Sequence, residues 1–173
     1  MTHPRRLMRL TLRPQTLPLI DGFTTRAFRT EDLPALAALM LDAYRGTVDF
    51  DEGASLDDAF HELHALKRGE YGMFMPSTSR LVDHDGRVVA AVLVTLWGEA
   101  PVPFVAFTMT AAAHKRKGLA RLVLSSVINT LLEQGHQTLD LVVTRANTPA
   151  VQLYERLGFQ DAPRPVSPKD TTG

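Results

Sequence analysis

Two stretches of the 173-residue chain hold residues whose types and spacing suit chemistry. The first runs from Thr108 to Ala120, where an apolar segment ends in the basic, glycine-bearing turn His114-Lys115-Arg116-Lys117-Gly118 and a helical pattern follows. A helix start leaves backbone N–H groups without intrahelical partners and carries the positive end of the helix dipole, so an anion there meets donors already aimed at it. Gly118 lacks a Cβ and lets the backbone bend and approach a phosphate closely, while Ala120 keeps the next step narrow. The chemistry this suits is pyrophosphate binding, with Lys115, Arg116 and Lys117 adding charge. Taken alone, such a cluster more commonly marks a solvated surface or a nucleic-acid patch.

The second stretch is Asn147 to Phe159. Thr148 suits an N-cap, Pro149 a first helical residue, Gly158 a C′ residue, and Phe159 the apolar contact that follows such an end. In the three-turn helix so bounded, Ala150, Tyr154 and Leu157 share one face. Tyr154 is then either a core aromatic or a hydroxyl placed in a site, and spacing leaves both open. His61 and His64, three apart on an earlier helix, lack the four-residue spacing with which a helix grips zinc, and are read as surface residues.

The elements that must position these residues follow in order. Phe23 to Phe28 reads as a short strand, and Thr30-Glu31-Asp32 opens a helix whose Leu33, Leu36, Ala37, Met40, Leu41 and Tyr44 form one buried stripe. An acidic segment, Arg45 to Gly53, separates it from a helix capped by Ser55, with Leu56, Phe60 and Leu63 inward and Gly69 at its end. Residues 70–79 read as a loop. Arg80–Asp83 and Val88–Trp97 flank Asp85-Gly86, the pair that a tight hairpin turn favours. Val102–Met109 is a nearly continuous apolar run, as expected of an inner strand. A helix over Leu119–Gln134 and a strand over Leu139–Thr144 complete a right-handed crossover, which makes the strands at 102–109 and 139–144 parallel. Ligands of such units sit beyond the carboxyl ends of the strands, where both chemical stretches lie.

Composition sets limits. The length and 45% apolar content fit one domain with a full core. Nineteen cationic side chains balance nineteen acidic ones, so a polyanion site must be local and bulk attraction to nucleic acid or to an anionic membrane is not expected. With no cysteine, disulfides, thiolate nucleophiles and thiolate metal sites are excluded, which suits a cytoplasmic protein. Residues 1–20 are Arg-rich, as a transit peptide is, but Arg9, Arg13 and Pro14 interrupt any secretory or membrane-spanning run; a frayed arm or an added edge strand is the preferred reading. Residues 21–162 form the expected domain and residues 163–173 a flexible tail.

With both stretches in this order and spacing, the chain resembles the GNAT superfamily of acyl-CoA-dependent N-acyltransferases. The matching residues are Lys115-Arg116-Lys117-Gly118-Leu119-Ala120, against the family's Arg/Gln-x-x-Gly-x-Gly/Ala, and Asn147, Ala150, Tyr154, Gly158 and Phe159 in the second cofactor element. The resemblance covers roughly residues 22–160. It implies an α/β (α+β) fold with a mixed sheet, antiparallel strands first, a parallel β-α-β crossover at the cofactor site and helices on both faces. It also implies acetyl-CoA as co-substrate, no metal, and direct attack by a primary amine, of a small molecule or a peptide amino terminus, in a ternary complex. Backbone amides of the Gly118 turn would hold the pyrophosphate, main-chain groups near Met109 and Thr110 the acyl carbonyl, and Tyr154 would protonate the departing thiolate.

The chain also departs from the family pattern. Lys115 replaces the planar fork of an arginine. The strand 102–109 has no Asp or Glu where many relatives place a general base, so the base is unassigned; a water relay towards Asp49 or Glu52 is preferred to Glu99, which lies at the far end of that strand. Only fourteen residues follow Phe159, short for the family's last two strands. One strand is then missing or truncated, is supplied by the N-terminal arm, or comes from a second subunit of a homodimer. An acyl-CoA-binding domain without catalysis, and a nucleic-acid or protein-binding module using residues 114–117, are the competing readings. In the family the acceptor is lined by segments corresponding to Tyr44–Glu52 and Trp97–Pro103, and here these carry Asp49, Asp51, Glu52 and Glu99.

Overall fold

The computed structural model describes residues 3–163. It has one sheet in the order β2-β4-β5-β6-β7-β1-β8, with β3 paired to β5 beside that path. The strands are β1 (Arg5–Thr11), β2 (Thr24–Ala27), β3 (Met73–Phe74), β4 (Arg80–His84), β5 (Arg87–Trp97), β6 (Val102–Thr110), β7 (Thr138–Thr144) and β8 (Gln160–Asp161). Four helices join them: α1 (Leu33–Tyr44), α2 (Leu56–Lys67), α3 (Leu119–Glu133) and α4 (Thr148–Leu157). Among the described strands only β6 and β7 pair in parallel, and α3 is the crossover between them.

The long central strand β5 shows why helices cover both faces. Its side chains alternate, so Ala90, Val92 and Val94 join one buried cluster while Ala91 and Leu93 join the other. The first cluster is covered by α3 through Leu122, Val123, Val127 and Leu131; the second is covered by α1 and α2 through Leu36, Met40, Leu63 and Leu66. The β4–β5 hairpin turns at Asp85 and Gly86, with φ of 49° and 74°, the positive values that the Asp-Gly pair supplies cheaply.

Several boundaries differ from the sequence reading. The inward face of α2 is Ala59, Leu63 and Leu66, while Leu56, one residue after the cap, is exposed. Ser55 accepts a hydrogen bond from Asp58 N and Asp58 answers with its carboxylate, a capping box that turns the first residue outward. Residues 70–79 include β3, whose two-residue length lies below what periodicity detects. The described part of the N-terminal arm adds a strand to the sheet, one place in from its edge: β1 pairs along its length with β7, while on its other side only Met8 and Arg9 pair with the two-residue β8. It buries Met8 and Leu10 in the core, and Arg6 bridges it to Glu155 of α4 and Asp161 of β8. Of the tail assigned to 163–173, residues 164–173 lie outside the described residues.

Candidate active site

The parallel pair β6 and β7 is short. Its ladder holds only Phe104 with Asp140 and Val105 with Leu141, after which the strands part. The register of β6 against β5 explains the parting: Val94 faces Val105 and Leu93 faces Phe107, so Ala106 is an extra residue, a bulge that bends β6 away. Between the parted ends opens a cleft of about 730 Å³. Its walls are Val105 to Thr108 of β6, Leu141 to Thr144 of β7, Asn147, Ala150, Leu153 and Tyr154 at and in α4, and Tyr44, Asp49 and Asp51 from α1 and the segment after it.

Tyr154 is buried, and its hydroxyl donates to Thr108 Oγ1 at 3.2 Å. Burial pushes its phenol above the ordinary tyrosine value, with the nearby Asp49 charge acting the same way against the Thr108 hydrogen bond. Tyr44 approaches the same residue from α1, donating to Thr108 O at 3.4 Å, and burial likewise raises its phenol. Two neutral phenols therefore meet at Thr108, near the end of β6, at neutral pH. Asp49 completes the wall: its Oδ1 accepts from Thr144 Oγ1 at 2.6 Å and its Oδ2 from Asn147 Nδ2 at 3.2 Å.

The cap of α4 is Asn147, whose side chain accepts from Ala150 N at 3.3 Å; Thr148, the residue expected there, is the first helical position and Pro149 the second. The α4 C-terminus is as expected, with Gly158 at φ 100°, Phe159 N donating to Tyr154 O, and the Phe159 ring edge-on to Tyr154 at 5.6 Å.

The basic turn lies apart from the cleft walls, after a 3-10 turn at Ala112–His114. Gly118 caps α3 with φ 81°, and Arg116 is also left-handed at φ 66°. Backbone hydrogen bonds here run from His114 N, Lys115 N and Leu122 N, which leaves the N–H groups of residues 116–121 without a protein acceptor among the described residues. Arg116 and Lys117 are exposed, Leu119 is buried against the sheet, and Ala120 is partly buried. Lys115 does not reach outward: its ammonium donates to Ala43 O at 2.8 Å, satisfying the carbonyl end of α1. Met109 turns its side chain into the core, and Thr110 pairs with Ala90 of β5.

Of the acids named from sequence, Asp49 and Asp51 line the cleft and Glu52 and Glu99 do not. Sequence reasoning missed Asp58 and Glu62 of α2, which also line it, and Arg5 of β1. Their α2 positions, four apart and on the same side as Ala59, are the signal that was available. Glu62 accepts a hydrogen bond from Tyr71, whose phenol is pushed up to about 12 by burial and by that carboxylate. His61 and His64 are exposed, and no group of three metal-ligating side chains occurs among the described residues.

The model of the acetyltransferase (GNAT) family matches residues 33–159. The chain belongs to this family. Shorter stretches resemble individual relatives: 46 residues are 44% identical to mycothiol acetyltransferase of Clavibacter sepedonicus, and 49 residues are 43% identical to the ribosomal protein bS18-alanine N-acetyltransferase of Escherichia coli K12. These matches cover 27% and 28% of the chain but only 15% and 33% of the two relatives' lengths. Among solved structures, the Escherichia coli ribosomal-protein-S18-alanine N-acetyltransferase superposes with a TM-score of 0.63 at 23% identity, over 82% of this chain and 79% of that one. A GCN5-related N-acetyltransferase from Sphaerobacter thermophilus gives 0.68 at 17%, over 91% and 48%. An aminoglycoside N-acetyltransferase solved with CoA gives 0.63 at 14%, over 88% and 97%. At these identities the structures show that the GNAT fold is shared.

Proposed function

We propose that this GNAT protein transfers an acetyl group from acetyl-CoA to a primary amine, of a small molecule or of a peptide amino terminus, by direct attack in a ternary complex. The observation that carries the reading is the parting of β6 from β7 at Ala106, which opens a cleft beside a buried, protonated Tyr154. The turn at 116–121 supports it, because its unpaired N–H groups at the start of α3 fit a pyrophosphate. In this reading Lys117, Gly118, Leu119 and Ala120 hold the phosphates through their backbone, with Arg116 adding charge. The pantetheine chain takes the space between β6 and β7, beside Asn147 and Ala150. Main-chain groups at Met109 and Thr110 orient the acyl carbonyl, and Tyr154 supplies the proton that the leaving sulfur needs. Catalysis is then mostly positioning, with hydrogen-bond donors meeting charge as it develops.

Lys115 supports the cradle from behind, since its contact with Ala43 O joins the turn to α1. The test has two arms. Calorimetry with acetyl-CoA should show a single site per chain, and a thiol-release assay over a panel of primary amines should show turnover. Absence of CoA binding by the folded protein overturns the reading. Binding without release for any amine reduces it to an acyl-CoA-binding domain.

A further inference from the structure

Asp49 is exposed, yet its carboxylate is pinned in a way that a freely solvated loop carboxylate is not. It belongs to the segment between α1 and α2, yet both of its oxygens are fixed by groups distant in sequence, Thr144 at the end of β7 and Asn147 at the start of α4. The Thr144 hydroxyl is buried, and the Asn147 amide is itself locked, because its oxygen caps α4 at Ala150 N while its nitrogen donates to Asp49. A carboxylate offers about four lone-pair directions, and these two hydrogen bonds use two of them. The others remain for a donor in the cleft, whose wall Asp49 shares with Thr108 and Tyr154.

We propose that Asp49 is the anchor for the acceptor's ammonium group, and that it selects cationic primary amines; this rests on the acetyltransferase reading above. The same helix start that orients Asn147 carries Tyr154 two turns on, so one rigid element sets both the anionic anchor and the acid that serves the leaving group. Asp51, Asp58 and Glu62 on the same cleft extend the negative wall along which a cation enters, with Arg5 the single cation among the residues lining the cleft. The protons balance. The bound ammonium gives one proton through water to solvent and becomes the attacking amine; C–N forms and C–S breaks; Tyr154 protonates the sulfur and recovers a proton from the acylated nitrogen. The products are amide, CoA thiol and one released proton. A carboxylate here raises the local concentration of the cation and orients its nitrogen, which is a binding and alignment effect on top of the chemical step.

The experiment uses the full chain saturated with CoA, and titrates into it cadaverine, a tetrapeptide with a free amino terminus, and aniline, which is uncharged at neutral pH. Wild type is expected to bind at least one of the two cations and to prefer it to aniline. Asp49→Asn, close to isosteric, should weaken that cation about 10-fold or more and leave aniline and CoA affinities unchanged. Where turnover is measured the loss should fall on KM rather than kcat. Thr144→Val, which keeps the charge but unpins it, should give a smaller loss in the same direction, so a folding defect in one variant does not decide the matter. Equal cation affinity in wild type and Asp49→Asn overturns the proposal, as does failure of both cations to bind the CoA-loaded wild type. Failure of CoA itself to bind would instead overturn the acetyltransferase reading.

Discussion

At the scale of single residues, the work of the proposed reaction is divided between Tyr154, the acid that serves the leaving sulfur, and Asp49, the carboxylate that anchors the acceptor's ammonium. In the proposed reaction the Tyr154 hydroxyl is useful mainly where negative charge grows on the sulfur, so Tyr154→Phe should lower kcat by about 10²-fold with little change in CoA affinity. Stopped-flow or steady-state thiol release measures it; intact turnover would make Tyr154 a packing residue. The pH dependence carries a sign that is open to measurement. Burial raises the phenols of Tyr154 and Tyr44, so the fold favours their neutral forms. Their contribution to stability is fully present below the unfolded-state value of about 10 and is lost as pH rises through the higher folded values. A pH series of urea melts should therefore show stability falling on the alkaline side, with the fall reduced in the Tyr44→Phe, Tyr154→Phe double variant. In the neutral range kcat/KM should rise with the acceptor's own free-amine titration and follow the amine when it is changed. Glu99 is absent from the cleft walls, and Glu99→Gln should leave that profile as it is.

At the scale of elements, the start of α3 and the bulge of β6 bound the proposed cofactor site. Gly118 sits at φ 81°, where a residue with a Cβ costs on the order of 1 kcal/mol, and a Cβ built there meets only the tip of Ile20 at 3.5 Å. Gly118→Asp is therefore expected to fold with a small loss of stability, yet to place a negative charge among the donors proposed to meet phosphate. Acetyl-CoA affinity should fall at least 100-fold by calorimetry, while circular dichroism stays that of wild type. Unchanged affinity would remove the turn from the site. Much of this was legible beforehand, because a helix start, a glycine and a basic run are all local in sequence. The bulge was not, since Ala106 in an apolar strand looks like its neighbours and becomes an extra residue only against β5.

For the whole molecule, β1 is the strand on which the sheet's second half depends. It lies between β7 and β8, and Met8 within it is wholly buried in the core with residues of α3 and α4. Met8→Ala should cost about 2–5 kcal/mol in a urea titration, the range for emptying a packed core site. Deleting residues 1–12 would leave β7 with an unpaired edge directly beside the active-site cleft, and aggregation by size-exclusion chromatography is the expected result. A soluble, cooperatively folding deletion would show that β1 is dispensable.

The sequence by itself determined the helices, the Asp85-Gly86 hairpin, the crossover unit and the positions of the turn and of Tyr154, because each is written in caps, glycines and apolar periods that act within a few residues. Tertiary structure alone decided where the N-terminal arm goes, why β6 and β7 part, and which acids face the cleft. Those depend on the register between strands and on hydrogen bonds such as Thr144 to Asp49, ninety-five residues apart, between groups that chain order does not bring together. The same physics accounts for the one-residue move of the α4 cap: Thr148 and Asn147 are both good caps locally, and the Asn147 amide, unlike a hydroxyl, caps the helix with its oxygen while its nitrogen reaches Asp49.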